Sequence, residues 1–323
     1  MTLSAQPDPV TPVTSTRWIV PVLAPIAIIG VLSWLTAPMG EGEQFVSTMG
    51  AVVLWALLLA LITVGVGALG LLQRLRPAGR TGHRRSALPS AAGTSQPPAP
   101  GRGRVLPALL VVSLFVVLTS LAGRTPRLAF FTQFESNWQG KVVDLLWVGI
   151  LFAVLWRWAR EDARLTWRLR PGSGRWALIV ITGVFFLFIG LIALSVALDP
   201  AMHEEVGVGQ VLYNTTIPNL TEELIWRAAM LAVLDRAFGT PWRLAGASVG
   251  WGLVVTSVAF GAGHMILLSP AGEFSLNIGS GIFAALMGVL LAWIWAYTRS
   301  VWPAFLLHCA PEVAVDVGML LTG

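Results

Sequence analysis

The chain has 323 residues, of which 55% are apolar and only 11% charged, and its mean hydropathy is +0.75. That composition excludes an ordinary soluble globule and defines a polytopic membrane protein. The net charge of +5 and the pI near 10.6 do not argue for nucleic acid: the basic residues gather in loops between apolar runs, where membrane lipids with anionic headgroups account for them, and no aromatic–basic platform accompanies them.

In chain order, residues 1–16 are a polar, proline-bearing tail. The first apolar run, 18–38, is read as a retained span, because no small-residue cleavage site follows it. With the run at 47–72 it makes an N-terminal hairpin over 17–73. Residues 74–104 contain seven arginines, no acid, and several Pro, Gly and Ser, the composition of a disordered basic linker. Runs at 105–122 and 142–158 form an additional pair, which a basic loop closes at 174. Runs at 176–198, 222–238, 243–268, 276–298 and 302–322 make up a core over 175–323. The expected fold is an all-α transmembrane bundle of about eight or nine spans. Cys309 is the single cysteine, so neither an intrachain disulfide nor a cysteine metal cluster can form.

Counting basic residues sets the orientation. With the N-terminus in the cytoplasm, 17 of the 21 basic residues lie inside and three, Arg124, Arg127 and Lys141, lie outside; Arg227 is within a span. The expectation is therefore N-terminus in and C-terminus out, in a bacterial plasma membrane. Trp18, Trp138, Trp156, Trp158, Trp176, Trp242 and Trp302 fall near span ends, as an interfacial belt would. Gly246 with Gly250, Gly261 with Gly263, and Gly279 with Gly281 and Ala285 read as close helix contacts. Asn214-Thr215-Thr216 and Asn219-Leu220-Thr221 match the glycosylation sequon and are read as chance occurrences. His203, Glu204 and Glu205 read as a solvated loop.

Against this apolar background the ionisable residues stand out, since each costs roughly 2.5–3.5 kcal/mol within a span. Glu222 and Glu223 open the run at 222–238, where acids suit the positive end of a helix dipole. Glu223 and Arg227 are four apart on one face, oriented for an ion pair. Glu222 points about 100° away, free to face something else. Phe260 and His264 are one turn apart, with glycines between them that permit close approach of another helix. In the last run His308, Glu312 and Asp316 follow at spacings of four. That stripe must face protein or a watery cavity, because facing lipid would be costly. Pro311 should kink the helix next to His308. Counting from Trp302 places His308 in the inner half of the membrane, whereas Glu222 and His264 belong near the outer face.

Glu222-Glu223-x-x-x-Arg227, Phe260-x-x-x-His264 and His308-x-x-x-Glu312, in this order over 175–323, resemble the signature of the CPBP family of intramembrane proteases, also called the Abi or CAAX-protease-like family. Ala228 stands where that family usually has Gly, and Glu312 where it has Asn. An Asn can donate a hydrogen bond to an oxyanion; a Glu can do so only when protonated. The resemblance implies hydrolysis of a peptide bond in a peptide or membrane-protein substrate. Glu222 with His264 would activate water, and His308 with Glu312 would stabilise the oxyanion. Glu223, Arg227 and Phe260 would support them. The family is also described as metallo-, so zinc or another divalent metal held by His264, His308 and a carboxylate is an equal expectation beside metal-free chemistry. The competing classes are a non-catalytic immunity or scaffold protein of the same fold and, further off, an ion-coupled transporter, for which no inverted repeat is apparent.

Overall fold

The computed structural model describes residues 16–36, 42–75, 104–269 and 271–322. The tail over 1–15 and the linker over 76–103 lie outside the described residues. In order, the helices are α1 (Ile19–Thr36), α2 (Gly42–Leu75), α3 (Val105–Arg124), α4 (Ala129–Thr132), α5 (Trp138–Val154), α6 (Trp156–Glu161), α7 (Ser173–Leu198), α8 (Val208–Asn214) and α9 (Ile217–Glu223). A π-helical segment, Leu224–Leu231, continues α9 directly into α10 (Ala232–Phe238), and α11 (Trp251–Met265), α12 (Ile278–Thr298) and α13 (Trp302–Thr322) complete the bundle.

Six of these helices, α1, α2, α3, α7, α12 and α13, are long and apolar enough to cross a membrane by themselves. The other three apolar runs became α5, the continuous stretch from α9 to α10, and α11. The last of these is only 15 residues long, short of the roughly 20 that a bilayer needs. The protein is an integral membrane helical bundle in which the six long helices enclose shorter ones.

Local chemistry sets the ends of these elements. Asn137 caps α5 by accepting from the Gly140 N–H at 3.2 Å, and Asn277 caps α12 by accepting from Ser280 at 3.0 Å. Such caps satisfy backbone donors that a helix start leaves open. The run at 243–268 is not helical throughout. Its first residues pair as an antiparallel hairpin, Trp242–Leu244 with Ala247–Val249. Ala245 and Gly246 both have positive φ at its tip, the two-residue turn that matches strand twist. Gly246 thus serves a turn and not the helix contact expected of it. A second hairpin, Ile266–Leu268 with Phe274–Leu276, terminates α11 just beyond His264.

Gly261 and Gly281 behave as expected of small residues between helices, whereas Gly250 abuts the Gly239 carbonyl in a loop and Gly263 and Gly279 have no close helix contact. A Cβ on Gly261 would stand 2.7 Å from the Ala285 side chain, and one on Gly288 3.0 Å from the Ser257 backbone. Through these positions α11 and α12 pack along much of their length. The stretch from α9 to α10 is the central element, touching α3, α5, α11, α12 and α13. From Glu223 to Leu234 every residue in it is buried.

Candidate active site

The central stretch starts earlier than its hydropathy suggests. Thr216 precedes the first turn, Pro218 occupies the second helical position, where a missing N–H costs nothing, and Glu222 and Glu223 lie in the second turn. They therefore do not cap a helix start. At 1.5 Å per residue the shift carries them roughly 8 Å into the bundle. α13 keeps its full length and still brings His308 to Glu222.

Glu223 is wholly buried. Its Oε1 lies 2.9 Å from Arg227 Nη1 and 2.8 Å from His308 Nδ1. Arg227 is just as buried, and its guanidinium lies 4.7 Å from the centre of the Phe260 ring. The ring of Phe260 in turn meets His264 at 4.4 Å and His308 at 5.9 Å between centroids. One aromatic ring thus carries the arginine and both histidines, and Trp226 packs its edge at 5.4 Å.

Glu222 is the more accessible acid, with a fifth of its side chain exposed. Its Oε2 is 3.8 Å from His308 Nε2, and its Oε1 is ion-paired to Lys141 of α5. His264 lies within electrostatic reach of the same carboxylate. Hydrogen bonding fixes the tautomers. His264 Nδ1 is 2.8 Å from the Phe260 carbonyl, which can only accept, so Nδ1 carries the proton and Nε2 is free to accept. His308 Nδ1 donates to the Glu223 carboxylate, which turns its Nε2 towards Glu222.

The titratable stripe of α13 faces protein along its whole length. Glu312 Oε2 accepts from Asn219 Nδ2 at 2.7 Å. Buried Asp316 accepts from Gln210 at 2.7 Å and from Asn214 at 3.0 Å. The two sequon asparagines are therefore partners of the stripe. α13 runs through Pro311 as one helix. Glu204 and Glu205 are exposed in the α7–α8 connection, away from this cluster.

Sequence reasoning missed Lys141, Asn219 and Tyr213, whose ring packs on Trp138 at 5.2 Å within electrostatic reach of Lys141, Glu222 and Glu312. A signal for Lys141 did exist, because it is the chain's one lysine among 21 basic residues and it borders an apolar run. A cavity of about 820 Å³ opens between α1, α2 and the α3–α5 connection, with Arg124, Arg127 and Asn137 in its wall, and it does not include the Glu222 cluster.

A resident metal does not fit these donors as they stand. Among the described residues no three His, Cys, Asp or Glu side chains are grouped to hold an ion, and the Lys141 ammonium is paired with one of the two Glu222 oxygens.

The buried Glu/Arg/His cluster falls within the part of the chain that is similar to a known family. Residues 204–313, roughly a third of the chain, match the family described as type II CAAX prenyl endopeptidase Rce1-like. The match bears out the CPBP resemblance and supports an intramembrane CAAX-type endopeptidase in general terms. It spans Glu222, Glu223, Arg227, Phe260, His264, His308 and Glu312, and ends short of Lys141 and all the helices before α8. No curated protein and no solved structure matches the chain.

Proposed function

We propose that the protein is an endopeptidase that hydrolyses a peptide bond of a peptide or membrane-associated protein inside the bilayer, with Glu222 as general base. The observation that carries this reading is the division of labour between adjacent acids. Glu223 is wholly buried and held through Oε1 by Arg227 and His308, while Glu222 keeps a fifth of its side chain exposed and faces His308 with Oε2 across 3.8 Å. One carboxylate builds the site and the other is left to do chemistry.

A water beside Glu222 donates one proton towards Oε2 and the other towards His264 Nε2, which aims its lone pair at the scissile carbonyl. Glu222 accepts the first proton as the water oxygen bonds to carbon. His308, protonated on Nε2 and anchored through Nδ1, donates to the developing oxyanion. The carbon–nitrogen bond then breaks, and Glu222 returns its proton to the leaving amine. Glu312 accepts from the Asn219 amide at 2.7 Å. We therefore assign it to positioning Asn219 and leave the oxyanion to His308.

Glu222→Gln in the purified full-length protein, assayed against a peptide library, is expected to lower cleavage by at least about 10²–10⁴ with an unchanged melting temperature. Wild-type cleavage by that variant would remove the assignment. One observation favours zinc as a second reading: both histidines hold Nδ1 in a hydrogen bond and present Nε2, the habit of metal ligands. Cleavage in the same assay should survive a strong chelator. Loss with chelator and recovery on adding zinc would install the metal reading instead. The N-in, C-out orientation would place this site towards the outer face of a bacterial plasma membrane, a position that accessibility labelling of single introduced cysteines would test.

A further inference from the structure

An oxyanion formed beside Glu222 needs donors, and the position where the resemblance calls for an Asn holds Glu312, an acceptor. Asn219 cannot substitute for it. Its amide nitrogen already donates to Glu312 and to the Asn214 carbonyl, both at 2.7 Å. Arg227 is sealed beneath Glu223 and Phe260. That leaves Lys141.

Its side chain is 18% exposed, on a par with Glu222. The bond to Glu222 is the one hydrogen bond Nζ makes among the described residues, so two of its three N–H donors stay available. Asp144, one turn further along α5, is buried and fixed by Thr119 at 3.1 Å and by Trp147 at 2.8 Å. It lies within electrostatic reach of Lys141. The lysine, Asp144 and the helix that bears them all lie outside residues 204–313.

We propose that Lys141 is a catalytic residue, an electrophilic donor that moves from Glu222 to the oxyanion as charge passes from one to the other. The proposal rests on Glu222 being the base. Before attack the negative charge is on Glu222, paired with Lys141. As the water oxygen bonds to carbon, its proton goes to Glu222, and the carbonyl π pair becomes a lone pair on the carbonyl oxygen. Glu222 is now neutral and the oxyanion carries the charge. Lys141 follows it by torsion of its four-carbon stem. When the carbonyl re-forms, the carbon–nitrogen bond breaks, the amine takes the proton from Glu222, and Lys141 returns to the restored carboxylate. The contact with the oxyanion exists only in the transition state and intermediate, so its energy acts on kcat.

The test uses the full-length protein with Cys309→Ala as parent and Lys141→Cys added, so that one thiol remains. Alkylation with bromoethylamine then rebuilds a lysine-like ammonium on the already folded protein. Before alkylation kcat should be about 10²–10³ lower than in the parent with KM little changed; after alkylation most of kcat should return. Parent-like kcat before alkylation would overturn the proposal, and so would complete alkylation by mass without recovery. In either case an inactive Glu222→Gln variant would show that the proteolytic reading stands by itself. Wild-type activity in Glu222→Gln would instead bring down the base assignment and this inference together.

Discussion

The runs that became α7 and the α9–α10 stretch both read as apolar segments in the sequence and end in opposite surroundings. α7 buries 6% of its most apolar window, whereas the stretch around Leu224–Leu231 is enclosed on every side. Lipid tails are as apolar as leucine, so hydrophobicity cannot choose which helix goes inside a membrane bundle. Polar groups choose. Glu222, Glu223 and Arg227 cannot face lipid, and the helices around them supply His308, Lys141 and the Phe260 ring. The three apolar runs that became α5, the α9–α10 stretch and α11 carry Lys141, Glu222, Glu223, Arg227 and His264.

The sharpest way to break this contrast is to remove one charge from the enclosed helix. Arg227→Leu would leave Glu223 buried with only His308 beside it. Breaking a buried pair from one side costs about 3–5 kcal/mol, enough to abolish most folded protein in detergent. Adding Glu223→Gln to the same chain should recover part of that loss in a denaturant titration. If Arg227→Leu costs less than about 1 kcal/mol, polar pairing does not hold the central helix in place.

A smaller effect is expected one layer out. Asn219→Ala strips the Glu312 carboxylate of its 2.7 Å donor and should cost about 1–3 kcal/mol, the range for a buried polar group left unsatisfied. The loss should shrink in an Asn219→Ala/Glu312→Leu double variant, as a double-mutant cycle would reveal.

These contacts also mark how far the sequence could be read. Each of the nine apolar runs yields a helical segment, and the meeting of Glu222, His264 and His308 was expected from the family resemblance and not from spacing, which left the depth of His308 open. The inward face of His308, Glu312 and Asp316 was legible too, because the cost of ions in lipid leaves that stripe nowhere else to go. The helix start at Ile217 was hidden, since Pro218 and Asn219 read as breakers although proline is at home in a first helical turn. The Ala245–Gly246 hairpin was masked by an unbroken apolar run. Lys141 and Glu222 are 81 positions apart, and nothing local couples an outer-loop lysine to an acid in another helix. Asn214 and Asn219 carried a surface motif, while their partners in α13 are about a hundred residues away. Local periodicity conveys which face of a helix is polar; it does not name what that face meets.

The last prediction returns to the two runs with one substitution in each. Leu187 in α7 is 57% exposed and Leu234 in α10 is fully buried. Leu234→Ala opens a cavity among helices and should cost roughly 2–5 kcal/mol. Leu187→Ala removes contacts that lipid tails replace, so it should shift stability by no more than about 0.5 kcal/mol. Both can be measured by the same denaturant titration in lipid nanodiscs. A large loss at Leu187 would mean that α7 packs against protein rather than lipid, as a second copy of the chain would require. Equal small losses would mean that the enclosed helix tolerates cavities, and the contrast between the two runs would then rest on charge alone.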